Sequence, residues 1–216
     1  DLPTQLPSGL EIIATTIRED VRDVVCLSQQ ALSKGIKSID QAKTIATSSL
    51  RRVAQLKRQY PDMNFMDMRG NLETRFKKLD AAEGPDAMVL AAAGLHRLGL
   101  ESRISQYLDP KNILPAVGQG ALGIEIASAR DDLKEFLREA LNSAEDEFAI
   151  KSERAFLRTL EGGCQVPIGA YSELGVGSIK LTGVVVSLDG VQCIRESISG
   201  KLDQAEKLGY ELGYRI

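Results

Sequence analysis

Lys43-Thr44-Ile45-Ala46-Thr47-Ser48-Ser49-Leu50-Arg51-Arg52 passes from one backbone period to another. Residues 43–47 have the short, β-branched character of a strand. From 48 to 60, Leu50, Val53, Ala54 and Leu56 recur at helical spacing until Pro61 stops the pattern. The same unit follows twice more. Residues 63–67 are strand-like and 71–80 helical; residues 86–92 form a third strand, followed by helical segments to about Leu108. This alternation predicts a parallel α/β sheet.

Working outward, residues 11–17 and 24–28 are apolar runs around the polar stretch 18–23, which predicts two strands with a crossover between them. The Gly-rich, then apolar, stretch 114–126 suits a link returning the chain to another sheet. Residues 131–141 are helical. In 144–160, Phe148, Ser152, Ala155, Phe156, Thr159 and Leu160 share one helical face. Beyond Gly162-Gly163 the period shortens to that of strands, at 165–171, 179–188 and 191–198, with a hairpin turn at Asp189-Gly190. A helix starts near Asp203 and is still running at Ile216. The expected organisation is a middle α/β domain, pieces of a second one, and a small α+β domain at the end. The opening Asp1-Leu2-Pro3-Thr4 reads like mid-domain sequence, so the first domain is expected to be incomplete.

Bulk properties narrow the function. With 216 residues, 43% hydrophobic and 26% charged, the composition is that of a soluble globular protein. No apolar run approaches the ~18 residues of a membrane span. A net charge of −3 gives no reason to invoke nucleic acid. Cys26, Cys164 and Cys193 lack metal-ligand spacing and are too few for a disulfide scaffold, which suits an intracellular setting. One histidine, His96, argues against histidine-based catalysis or a His-rich metal site.

Two patterns carry chemistry. In the first, Thr47-Ser48-Ser49 ends a strand and opens a helix. Its hydroxyls can cap the helix, its free N–H groups attract anions, and Arg51 and Arg52 add guanidinium forks suited to carboxylate or phosphate. A capped helix with solvated arginines accounts for this motif equally well. The arrangement recurs, however, at Arg69-Gly70-Asn71 with Arg75 further along, and at Gly94-Leu95-His96-Arg97. Ligands of open α/β sheets bind at the carboxyl ends of strands, so these arginines are expected in one anion-binding cleft. In the second pattern, Cys164 follows two glycines on a loop between helix and strand, where a thiolate is accessible; the plainer alternative is a small buried loop cysteine. Cys26 and Cys193 sit in apolar runs and are expected to be inert. Asp1, before an extended Pro-containing segment, could point into a cleft but by itself says little.

Together these segments resemble the porphobilinogen deaminase family. The matches are ATSSLRR at 46–52, RGNLETR at 69–75, LAAAGLHRLGL at 90–100, LPAVGQGALGIE at 114–125 and ERAFLRTLEGGCQVPIG at 153–169, with DLPTQLP at 1–7 and REDVRD at 18–23 also fitting. The resemblance implies an α/β fold in which two periplasmic-binding-protein-like domains face each other across a cleft, followed by a small C-terminal α+β domain. It implies domain 1 at 1–20 and 119–140, domain 2 at 21–118 and domain 3 at 141–216. It further implies a transferase of tetrapyrrole biosynthesis that joins four porphobilinogen molecules into hydroxymethylbilane with release of ammonia. A dipyrromethane cofactor would be held as a thioether on Cys164, with Ser49, Arg51, Arg52, Arg69 and Gly70 binding it. Arg75 and Arg97 would bind substrate, and Asp1 would be the catalytic carboxylate. No metal is implied. His96 stands where the family commonly has lysine or glutamine and receives no role. A monomer in the cytoplasm, or in a plastid, is expected, with no nucleic-acid or membrane partner. The other class of function is a non-catalytic anion-binding fragment.

Overall fold

The strand–helix alternation beginning at Lys43 is realised, but in a sheet of mixed direction. The computed structural model describes residues 2–161 and 166–216. In chain order the elements are β1 (Leu10–Thr15), β2 (Asp23–Leu27), α1 (Gln29–Ser33), β3 (Thr44–Ala46), α2 (Leu50–Gln59), β4 (Asn64–Met66), α3 (Leu72–Leu79), β5 (Ala87–Ala91), α4 (Ala92–Arg97) and β6 (Gln106–Tyr107). They continue with β7 (Gly123–Ala127), α5 (Asp131–Leu141), α6 (Ala144–Thr159), β8 (Ile168–Gly175), β9 (Ser178–Val186), β10 (Cys193–Lys201) and α7 (Ala205–Arg215). The chain divides into two units, one of residues 1–20, 116–185 and 194–216, the other of residues 21–115 and 186–193.

The second unit is a five-stranded sheet in the order β4-β3-β5-β2-β6. β3 runs parallel to both β4 and β5, whereas β2 is antiparallel to β5 and to β6. The three strands of the alternating units are thus parallel as expected, and the antiparallel members β2 and β6 are the addition. β2 enters from a strand of another sheet, so no helical crossover within this sheet dictates its direction. For the same reason β1 and β2 are not neighbours: β1 pairs with β7. The segment expected to stay helical to Leu108 ends instead in the short strand β6, where Ser105 N–H and Leu108 N–H donate to the carbonyls of Val25 and Asp23.

Both faces of this sheet are covered at β2, β3 and β5, which explains why these strands are apolar apart from Asp23 and Thr44 at the heads of β2 and β3. Val25, Leu27, Ile45, Ala87 and Val89 join one core with Leu56 of α2. Val24, Cys26, Ala46, Met88 and Leu90 join a second core with Phe76 and Leu79 of α3 and Leu95 of α4.

The first unit holds a two-stranded antiparallel ladder, β1-β7, and a three-stranded sheet, β10-β9-β8. The stretch 114–126 thus does return the chain to another sheet. Between β9 and β10, in residues 186–193 that count with the second unit, the chain reverses around Asp189-Gly190, with Ser187 N–H donating to the Gln192 carbonyl and Gly190 at φ +80°. α6 and α7 pack against the sheet over Phe156, Ile168, Ala170, Ile179, Leu181, Leu208 and Leu212. They meet through glycine. A Cβ on Gly213 would lie 2.5 Å from Thr159 Cβ, and one on Gly209 would lie 2.6 Å from Ala155 Cβ and run into the Ser152 carbonyl. Gly209→Val should therefore destabilise the protein by roughly 1–3 kcal/mol or more, since overpacking forces the helices apart. Thermal denaturation checks this; an unchanged midpoint would contradict the close helix contact.

Candidate active site

β4, β3 and β5 are parallel neighbours, so their carboxyl ends lie along one edge of the sheet. Side chains and backbone stitch the ends of β3 and β4 together. Thr47 N–H donates to the Met66 carbonyl at 3.0 Å, and Ser48 Oγ donates to the Met68 carbonyl at 2.9 Å. Ser49 caps α2, its hydroxyl accepting from Arg52 N–H.

Behind this edge stands Asp23, the first residue of β2 and buried. Arg51 Nη1 donates to Asp23 Oδ2 at 2.6 Å and to the Leu114 carbonyl at 2.7 Å. Arg52 Nε and Nη2 donate to Asp23 Oδ1 at 3.0 and 2.8 Å, and its Nη1 donates to the Val89 carbonyl at 3.2 Å. Burial alone would push the Asp23 carboxyl up, but the two guanidiniums outweigh it and hold Asp23 well below the usual carboxylate range. Arg51 is itself buried, so it stands behind the edge rather than open to solvent. Two arginines on one carboxylate leave the cluster with an excess positive charge.

The other arginines are placed differently. The Arg69 side chain is 83% exposed, with Nε 3.0 Å from Asp67 Oδ2. Gly70 has φ +126°, and a Cβ there would lie 3.0 Å from Thr74 Cγ2, so only glycine fits this turn. Asn71 caps α3, and Arg75 Nε donates to the Gly70 carbonyl at 2.7 Å. Arg97 is exposed at the end of α4. Beside it, His96 Nε2 and the Tyr107 hydroxyl are 3.1 Å apart, and the Arg22 guanidinium lies 4.0 Å from the Tyr107 ring centroid.

In the first unit a second buried carboxylate ties several stretches of chain together. Glu153 of α6 accepts from Arg18 Nη1 and Nη2 at 2.7 and 3.0 Å, from Gly118 N–H at 2.8 Å and from Ser172 N–H of β8 at 2.9 Å. Ser152 and Ser172 hydroxyls are 2.7 Å apart. These bonds lock α6 to β8, the elements on either side of the loop that carries Cys164. Asp1 and Cys164 themselves lie outside the described residues.

Sequence reasoning singled out the arginines but not Asp23, Glu153 or Arg18. The signal was present. Asp23 heads an unbroken apolar run, and Glu153 falls in phase with Ala149, Ser152 and Phe156 on the buried side of α6. Among the described residues no group of three or more His, Cys, Asp or Glu side chains could hold a metal ion, and no helix is long and apolar enough to cross a membrane.

Residues 1–135 match the family model described as porphobilinogen deaminase, dipyromethane cofactor binding domain, and residues 148–216 match the porphobilinogen deaminase C-terminal domain. The chain belongs to the porphobilinogen deaminase family. It is 45% identical to the porphobilinogen deaminase of Syntrophobacter fumaroxidans, 48% to that of Prochlorococcus marinus and 47% to that of Chlorobium phaeobacteroides. Each similarity covers the whole of this chain and 68%, 67% and 69% of those proteins, respectively. Membership agrees with the mixed α/β fold, and dipyrromethane is the cofactor of the porphobilinogen deaminase domain that the chain matches.

Asp23→Asn should remove the partner that two buried guanidiniums share, costing about 3–5 kcal/mol. The pH dependence has a definite sign. A carboxyl held below its unfolded value of about 3.9 adds stability above that pH and loses it as pH falls through the lower, folded value. Glu147, whose carboxyl is partly buried yet drawn down to about 2 by Lys151, Arg138 and Asn142, acts in the same direction. Acid titration followed by circular dichroism should therefore show a shallower loss of stability in Asp23→Asn than in the parent below about pH 4. Equal acid limbs would show that Asp23 is not held ionised.

Proposed function

We propose that the protein containing this chain is a hydroxymethylbilane synthase, joining porphobilinogen molecules into hydroxymethylbilane with release of ammonia. Family membership over the full chain carries this reading, and the sheet edge supports it physically. Every pyrrole ring of the substrate bears an acetate and a propionate, so a growing chain presents many carboxylates. Arg51 and Arg52 lie in the helix after β3, Arg69 follows β4, and Arg97 ends the helix after β5, which supports a carboxylate site along this edge.

The donor set fits a dipyrromethane, which is itself a short chain of carboxylate-bearing pyrroles. Cys164 would carry it, and Ser49, Arg51, Arg52, Arg69 and Gly70 would hold it. Within that set the roles divide. Arg51 and Arg52, pinned to Asp23, supply a fixed positive field that costs no reorganisation. Arg69 and Arg97, which are exposed, and Arg75, which is half-buried, would grip carboxylates directly. The cofactor, when bound, supplies the nucleophilic pyrrole carbon from which the chain grows. Asp1 would stabilise the positive charge that loss of ammonia leaves on the incoming pyrrole and relay the proton displaced on coupling.

Three domains, at 1–20 with 119–140, at 21–118 and at 141–216, belong to the same proposal; the two separate sheets of the first unit support the division. A cytoplasmic monomer without nucleic-acid partners completes it, in keeping with the net charge of −3.

The arginine assignment separates by experiment on the full-length protein. Arg69→Lys should keep its folding and slow hydroxymethylbilane formation about tenfold or more, because lysine lacks the planar fork. Arg51→Lys should lower the denaturation midpoint as well, because it breaks the Asp23 cluster. Normal turnover in Arg69→Lys would remove that fork from the site; an unchanged midpoint in Arg51→Lys would deny the structural role.

A further inference from the structure

The segment beside Asp1 is tied to α6 at two points. Arg154 of α6 extends Nη2 to the carbonyls of Pro3 and Thr4, at 2.8 and 3.2 Å. On the other side of Pro3, Leu2 lies against Gly123 at the start of β7; a Cβ there would come within 2.7 Å of Leu2 Cδ1. The guanidinium is placed against its electrostatic interest. It is partly withdrawn from water and lies one helical turn from Arg158, both of which penalise its charge. Those two peptide carbonyls are the hydrogen-bond acceptors that offset this.

The anchor sits where it matters for the reaction. Arg154 lies one residue beyond Glu153, whose carboxylate locks α6 to β8, and ten residues before Cys164 on the same 153–169 segment. Glu153 faces inward to Arg18, and Arg154 faces the chain entering from Asp1. One rigid helix thus holds both the ground leading to the cofactor cysteine and the peptide next to the proposed catalytic carboxylate. An error of about 1 Å in placing a catalytic group can slow a reaction by as much as about 100-fold.

We propose that Arg154 is a positioning residue that sets the Asp1 carboxylate relative to the helix leading into the Cys164 loop. Leu2 on Gly123 is the second fastening of the same segment. The inference rests on the reading of Asp1 as the catalytic carboxylate.

The test uses the full-length, cofactor-loaded enzyme and the variants Arg154→Gln, Gly123→Ala and Asp1→Asn, with each of the first two also combined with Asp1→Asn. Gly123→Ala disturbs the second fastening without touching Arg154. Cofactor loading is read by intact mass, backbone anchoring by hydrogen–deuterium exchange of residues 2–10, and rates by ammonia release at high enzyme concentration. Arg154→Gln should keep its cofactor and its denaturation midpoint, speed exchange in residues 2–10, and lower kcat between about 10- and 100-fold with KM little changed. In the Asp1→Asn background the same change should slow the enzyme no further, because there is no carboxylate left to misplace. Gly123→Ala should show the same non-additivity, and it decides the matter if Arg154→Gln does not fold. Unchanged exchange, an unchanged kcat, or an equal loss of rate in both backgrounds would overturn the proposal. Normal turnover by Asp1→Asn alone would instead overturn the reading of Asp1.

Discussion

The carboxylate of Asp23 is the point on which the arginine-bearing edge depends. It lies at the head of β2, in the interior of the sheet, and takes hydrogen bonds from both Arg51 and Arg52. Arg51 also reaches the Leu114 carbonyl, and Gln55 closes a second pair of bonds with Leu114, so the start of α2, β2 and the chain at 114 are fastened through one cluster. A lone buried charge is expensive, but here one anion faces two cations with well-formed geometry. The result is a helix start whose position is fixed by one anion shared between two cations.

Glu153 plays the corresponding part in the first unit. Its two oxygens take four N–H donors from three stretches of chain: Arg18, Gly118 and Ser172. The loop bearing Cys164 hence springs from a helix and a strand that cannot shift independently. Functional groups held this way need little reorganisation during reaction.

Much of the fold was legible in the sequence because its periods are clean. Leu50, Val53, Ala54 and Leu56 marked α2, Asn71 marked the start of α3, and the apolar runs of β2, β3 and β5 marked strands buried on both faces. The parallel course of β3, β4 and β5 was legible from their alternation with helices, but the direction of β2 was not. Period and length say nothing of whether β2 runs with or against β5; that depends on where the preceding strand lies, and β1 belongs to a different ladder. β6, only two residues long, was hidden for a similar reason, since its pairing is imposed by β2 and not by its own composition. Of the candidate site, the arginines were visible because they follow strand ends. What each arginine faces was not, because the partner of Arg51 is 28 residues upstream on another strand. Arg51 looked like a surface fork and is instead a buried one.

Attachment of the cofactor is the most direct test, since the proposed arginine site and family membership both converge on it. The measurement is the intact mass of the full-length protein and of its Cys164→Ser, Cys26→Ser and Cys193→Ser variants, followed by peptide mapping. The account predicts a covalent dipyrromethane on the parent, confined to the peptide containing Cys164, absent from Cys164→Ser and retained in the other two. A parent without the added mass, or an adduct that survives in Cys164→Ser, would contradict it.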